Sequence, residues 1–467
     1  MGTLASLMDL ARQSLMANQA AINVTSNNVA NQNTPGYTRQ VVSWQARDSV
    51  TIGDLNVGGG VSVSQASVRD RVLEQRVQQQ TQLHAQSQAL ESALQQVQNI
   101  FGLTSTSTSA TTTQLGSAMD SFFNALSSLT ANPSDIAARQ KVLSAANSLA
   151  GAFNSASNQI AQVSASLDKQ VSGYVDSVNS LVTTIASLNE QIASNSPDSD
   201  AGTLEDQRQQ AIAELSQYIG LNQISTEGNG ITLTTSDGAI LVSGGISYAV
   251  ATAQINGTSH IFAGPAGQDV AQTLSGGAIG GTLVAQDGQL PVFQSSLDNL
   301  AYAIGTQINQ ANSQGIDGNG NPGQPLFNLP ATSAGAAGLI RLATNNPQAI
   351  AAASVGEGAT GNSNALILAG LASGNIVAGQ TPSSFLSTLL GKIGSVTAAA
   401  TTDNTAQEAT LSQLTAQRNA LSGVSLDEEA ANLTNYQRAY EAAAKIFSIV
   451  DQMMATALNL GVPTSVS

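Results

Sequence analysis

GVSLDEEAANLTNYQRAYEAAAKIFSIVDQMMATALNL, residues 423–460, is the stretch whose reading decides the fold. Leu433, Tyr436, Tyr440, Ala443, Phe447, Val450, Met454 and Ala457 advance by alternating threes and fours, a heptad seam that gathers the large residues on one helical face. Ser425 followed by Glu428 fits a capping box, and Asp427, Glu428 and Glu429 set negative charge at the positive end of the helix dipole. A lone amphipathic helix gains little from propensity, whereas burying one Leu or Phe stabilises by roughly 1.5–3 kcal/mol. The seam therefore needs a partner.

The other end of the chain offers one. Leu4, Met8, Ala11, Leu15, Asn18, Ile22, Thr25 and Val29 follow the same alternating steps, with two polar residues at seam positions. Buried polar groups at such positions cost stability and fix register or strand number. Matching seams at opposite ends predict a chain folded back on itself like a hairpin. The expected fold class is mainly α with a small β subdomain. In it the N- and C-terminal helices pair as a coiled coil beside a long helical rod that carries a β insertion.

Composition narrows the function. The chain has 467 residues, of which only 10% are charged, against roughly 25% in typical soluble proteins. A net charge of −15 and the lack of any basic cluster argue against a nucleic-acid partner, since phosphate binding depends on grouped Lys and Arg. Cysteine is absent, which excludes disulfides and thiolate metal sites. Residues 1–30 are amphipathic, with Asp9, Arg12, Asn18 and Gln19 interrupting any apolar run, so no secretory signal is legible. No segment reaches the roughly 18 apolar residues of a membrane span.

Along the chain, the first helix should stop near Ala30, where Asn31 to Gly36 is dense in turn formers. Pro35-Gly36 suits the centre of a type II turn. Tyr37 to Trp44 reads as extended. Helix returns from Val68 to about Phe101, with Leu83, Leu90, Leu94, Val97 and Phe101 on one seam. Leu115 to Leu129, a long pattern from Asn132 towards Ala193, and Leu204 to Ile219 follow. Ile231 to Thr234 and Ala239 to Val242 are β-type runs divided by Gly turns. Helix resumes over Val292 to Gln314 and from about Ser383 to Leu421. These readings give a discontinuous terminal domain (1–65 and 424–467), a helical rod (66–220 and 291–423) and a β subdomain (221–290) at the rod's far tip.

No catalytic constellation stands out. His84 and His260 lie far apart in sequence and read as packed or solvated side chains. Gly318 to Gly323 matches G-x-G-x-x-G but lacks the strand-turn-helix context that a dinucleotide site requires. Asp317, Asn319 and Asn321 match the first ligand positions of a calcium loop, but Pro322 and Asn328 replace its Gly and Glu. No cofactor or metal is expected.

Two motifs resemble a known family. Ser26-Asn27-Asn28-Val29-Ala30-Asn31 with Asn33-Thr34-Pro35-Gly36-Tyr37-Thr38-Arg39-Gln40 resembles the N-terminal signature of bacterial flagellar rod, hook and hook-associated axial proteins. Gly423 to Glu429, followed by Asn432-Leu433, Tyr436-Gln437 and Ala439-Tyr440, is similar to the C-terminal signature of the hook–filament junction branch. Leu204-Glu205-Asp206-Gln207-Arg208 resembles an internal motif of that branch. The resemblance implies paired termini lining an axial channel, a short ring-like zone joining hook to filament, and no enzyme activity. It also implies export without a cleaved signal to an extracellular flagellum. The implied partners are further copies in a helical ring, the hook protein, the next hook-associated protein or flagellin, and a cytoplasmic chaperone on the C-terminal helix. Hook protein remains an alternative within the family, and a secreted coiled-coil adhesin outside it. Larger members carry an outer β domain after a loop like Gly315–Phe327; here that domain is expected to be missing.

The expected assembly interface comprises Leu4, Met8, Leu15, Ile22, Val29, Asn33, Pro35, Gly36 and Tyr37 from the N-terminal side. Leu433, Tyr436, Tyr440, Phe447, Val450 and Met454 supply the other side. One hairpin cannot bury both seams fully, so residues of about 1–60 and 424–467 are expected to order only on assembly.

Overall fold

The computed structural model describes residues 2–34, 36–46, 49–52, 55–103, 113–194, 202–225, 230–255, 258–358 and 360–459. Helix α1 (Gly2–Asn31) leads into strands β1 (Gln40–Ala46), β2 (Ser49–Ile52), β3 (Leu55–Gly58) and β4 (Val61–Ser67). These form nested antiparallel hairpins, β2 on β3 within β1 on β4. Helix α2 (Arg71–Ile100) starts at Asp70, whose carboxylate accepts the amides of Val72 and Leu73 at 2.9 and 3.0 Å. Helices α3 (Gln114–Leu129), α4 (Ile136–Ser194) and α5 (Gly202–Tyr218) follow.

A small β lobe comes next. Strands β5 (Leu221–Ser225), β6 (Ile231–Thr235), β7 (Ile240–Ser243) and β8 (Ile246–Ser247) form one antiparallel sheet in chain order. Strands β9 (Ala251–Ile255), β10 (Thr258–Ala263) and β11 (Gln268–Asp269) form another. Helix α6 (Gly277–Leu283) then runs through a π-helical turn (Val284–Gln289) into α7 (Leu290–Gln314). Residues 315–380 make a compact lobe with β12 (Phe327–Asn328), α8 (Ala336–Leu339), β13 (Arg341–Leu342) and α9 (Ser363–Gly370). Helices α10 (Pro382–Ser422) and α11 (Leu426–Asn459) close the chain.

Two apolar cores hold the rod. The larger joins α3, α7, the 315–380 lobe and the start of α10 to the N-terminal half of α4, with Phe122, Phe153, Phe293 and Phe327 fully or almost fully buried. The smaller joins α5, α6 and the β lobe to the C-terminal half of the same helix through Val178, Val182 and Ile185. Arg139, at the distal end of α4, is buried and donates to the backbone carbonyls of Pro133 and Ile350, which pins the lobe to the rod.

The structure corrects three readings. Helix resumes at Gly277, inside the range read as β, because Gly277, Gly280 and Gly281 look like turn formers. Their role is close approach: a Cβ on Gly281 would overlap the Gln86 carbonyl of α2. The β lobe is also not at the far tip. Gln82 of α2 both donates to and accepts from the Leu221 backbone, and Gln223 and Ile231 line one small cavity with Arg69 and Glu205. The lobe therefore flanks the rod on the side nearest the chain termini, and residues 315–380 occupy the other end. Finally, Leu83 is 47% exposed, whereas Ser87 on the same stripe is buried. The stripe there meets polar residues of α10: Ser87 donates to Asn404, and Gln80 to Gln407.

Candidate assembly site

The N-terminal and C-terminal motifs meet at one point. Asn28, near the end of α1, is buried. Its side-chain amide donates to the Gln40 carbonyl at 2.8 Å and to Glu429 Oε2 at 3.1 Å. Its Oδ1 accepts the Gln40 amide at 3.0 Å and the Tyr37 hydroxyl at 2.8 Å. Arg39 completes the set, donating from Nε to Glu429 Oε1 at 2.7 Å and from Nη2 to Glu428 Oε1 at 2.8 Å. Its amide donates to the Ser422 carbonyl and its own carbonyl accepts the Val68 amide, both at 2.9 Å. Charge-assisted bonds of this kind are the stronger ones, and two charged groups held this way resist separation.

A second set ties this point to the rod. Asp206 of α5 accepts the Thr38 amide at 3.3 Å and is paired with Arg69, which also reaches Glu205 at 3.5 Å. Arg208 donates to Asn189, which in turn donates to the Ile231 and Gly244 carbonyls of the β lobe. The residues of the internal motif thus sit beneath the turn that follows α1.

Burial and charge shape the titration of these groups. Burial, then the Asp206 and Glu429 carboxylates, pushes the Tyr37 phenol up to about 12. Burial alone would lower the Arg39 guanidinium, but its bonds with Glu428 and Glu429 outweigh that and raise it. Burial raises the Asp206 carboxyl against the opposing pull of Arg69 and Thr38. Burial lowers Arg208 to about 10.

From this point α1 and α11 run away together, antiparallel, since the end of α1 meets the start of α11. Ala11, Asn18 and Thr25 on α1 and Ala443 and Val450 on α11 are buried. Leu4, Met8, Leu15, Ile22, Val29, Leu433, Tyr436, Tyr440, Phe447 and Met454 are half-buried. Trp44 of β1 covers Tyr436, with ring centroids 6.2 Å apart. Further large apolar side chains are exposed on the same helices: Leu7, Leu10 and Met16 on different flanks of α1, and Ile446, Ile449 and Met453 in one row on α11.

At the turn, Asn33 is exposed and Gly36 adopts φ +79°, while the Tyr37 amide donates to the Thr34 carbonyl at 3.2 Å. Pro35 lies outside the described residues. Ser425 marks the start of α11 through its carbonyl, which accepts the Glu429 amide at 3.0 Å. The acidic trio is where the sequence reading fell short. It treats the carboxylates as helix-cap charge, whereas Glu428 and Glu429 grip Arg39, some 390 residues away along the chain.

Elsewhere, Asp317 Oδ1 accepts the Asn319 and Asn321 amides of its own loop at 2.8 Å each, the pattern of an ordinary turn. His260 bonds Asp269 on the β lobe at 2.6 Å. Among the described residues, no group of three or more His, Cys, Asp or Glu is placed to hold a metal, and no helix is long and apolar enough to cross a membrane.

Paired terminal helices, locked to a helical rod by two sequence motifs, define an axial protein of the flagellar rod and hook class. The family models for the flagella basal body rod protein and for the C-terminal region of the flagellar basal body rod FlgEFG proteins match residues 8–38 and 416–460. The model for the helical domain of the flagellar hook-associated protein FlgK matches residues 94–327, and the chain belongs to the FlgK family. Flagellar hook-associated protein 1 of Bacillus subtilis is 29% identical over 504 residues, spanning 97% of both chains. Its Escherichia coli counterpart is 31% identical over 346 residues, covering 69% of this chain and 60% of its own length. The Salmonella typhimurium counterpart is 25% identical over 560 residues, covering 98% of this chain and all of its own. The flagellar hook junction protein FlgK of Burkholderia pseudomallei shares the fold, with a TM-score of 0.68 and 20% identity over 74% of this chain and all of that one.

Proposed function

We propose that this chain is a structural subunit of the hook–filament junction, built into the flagellum as a ring of identical copies on which the filament grows. The observation that carries this is the apolar surface left exposed on the terminal pair. Met16 is 63% exposed and Ile449 57%, on helices whose first row is already committed to each other. Apolar surface of that extent, on a pair anchored at one end, is what neighbouring copies bury in a helical array. The seam residues, the turn around Gly36 and Tyr37 and the exposed apolar side chains together form the assembly interface. The terminal helices belong to one discontinuous domain and the rod, with its β lobe, to the rest.

The hook protein on one side and a further hook-associated protein or flagellin on the other are the partners this reading assigns. Before export, without a cleaved signal, a chaperone holding α11 in a groove would cover the same apolar row. The alignment with the Salmonella relative runs over 560 positions, more than the 467 residues here, so that relative carries a segment this chain lacks. We assign it to an outer domain inserted near Gly315–Phe327.

Deletion of the gene in its own host, followed by electron microscopy of cells and medium, tests the reading. Hooks without filaments, with flagellin shed into the medium, are expected. Basal bodies lacking hooks would assign the chain as hook protein instead, and intact motile flagella would remove the flagellar role.

A further inference from the structure

We infer that Glu429 sets the register of the terminal helix pair. Four residues before Leu433, it occupies the next position on the α11 seam, and it is 1% exposed, more deeply buried than any seam residue after it. Counting outward in the antiparallel sense from Val29, the seam residue next to Asn28, set against Glu429 carries one seam onto the other, placing Leu15 level with Ala443 and Met8 level with Val450.

The apolar part of the seam cannot choose this register alone. Hydrophobic burial is non-directional, and a slide of one heptad again sets seam residue against seam residue, with Leu15 level with Val450 or Tyr436. The polar set can choose, because none of its members is able to follow a slide. Asn28 is held on both backbone groups of Gln40, and Arg39 is held through its own amide and carbonyl to Ser422 and Val68. Moving α11 by two turns would strand the Glu429 carboxylate, buried, with its donors out of reach. A buried ionic group placed this way acts as a selector among registers that apolar contacts leave nearly equal.

The test uses the cysteine-free full-length chain as its host assembles it. Leu15→Cys combined with Ala443→Cys reports the level register, and Leu15→Cys combined with Val450→Cys reports the slid one, about 10 Å away along the helix. Intramolecular disulfides are separated from intermolecular ones by gel mobility. With Glu429 intact, the level product should exceed the slid product by roughly tenfold or more. With Glu429→Leu, which keeps the seam apolar, both products should form in comparable yield. Glu429→Gln, which retains an acceptor for Arg39 and Asn28, should restore the level product. A Glu429→Leu chain that still gives the level product alone would overturn the inference. So would one that gives neither product, since the residue would then support pairing without selecting among pairings. The readout is taken from the chain itself and does not depend on where in the flagellum that chain sits.

Discussion

The rod and the terminal pair are both helical, yet they solve burial in opposite ways. In the rod, Phe122, Phe153 and Phe293 are fully enclosed by elements of the same chain, and buried polar side chains such as Arg139, Asp298 and Asn312 find backbone partners there. In the terminal pair most large seam residues are only half-buried, and further large apolar side chains face solvent. The rod's apolar cores are therefore closed by its own elements. The pair has a polar lock at one end and leaves large apolar side chains in solvent.

That contrast can be broken most directly at Phe447. Phe447→Asp sets a charge in the seam and should abolish incorporation into flagella while the rod keeps its thermal transition; normal incorporation would end the case for the seam. Next in size, Arg39→Ala removes the partner of a buried carboxylate and should cost about 3–5 kcal/mol, felt at the termini. Phe293→Ala should cost a similar ~3–5 kcal/mol, but from the rod, leaving hydrogen exchange at the termini unchanged. If each variant weakened both regions equally, the two would be one cooperative unit. A further measurement sharpens the same point: in a verified monomer, amides of α1 and α11 should exchange far faster than those of α4, and equal protection would remove the dependence on neighbours.

The smallest effect concerns pH. The Tyr37 phenol is raised from 10.0 to about 12, so folding favours its neutral form. Its contribution is complete below pH 10 and is lost as pH rises from about 10 to 12. The difference in melting temperature between the natural chain and Tyr37→Phe should narrow across that window; a difference that stays flat would show that Tyr37 does not couple to the lock.

How much of this was legible beforehand follows from the range of each interaction. The α11 seam and the long α4 declare themselves through local spacing, which depends only on the helical period. Helix α6 was hidden because glycine signals a turn locally and close packing only in three dimensions. The lock was hidden more deeply. Asn28 and Arg39 carry no periodic signal, and Glu429, though at a seam position, sits in an acidic run that a helix start already explains. The family motifs marked the right segments without saying which atoms meet. The pairing of Arg69 with Asp206 and of Asp206 with the Thr38 amide had no local signature at all.

Helix α4 carries a mechanical consequence. Its 59 residues span roughly 88 Å, and one continuous backbone is embedded first in the larger core and then in the smaller. A twisting load entering at either end meets no joint along that length, so the helix works as a strut and passes torque on instead of absorbing it. Compliance is left to the short connection at Thr38, Arg39 and Val68, where a few bonds to α5 and the end of α10 join the rod to the terminal pair.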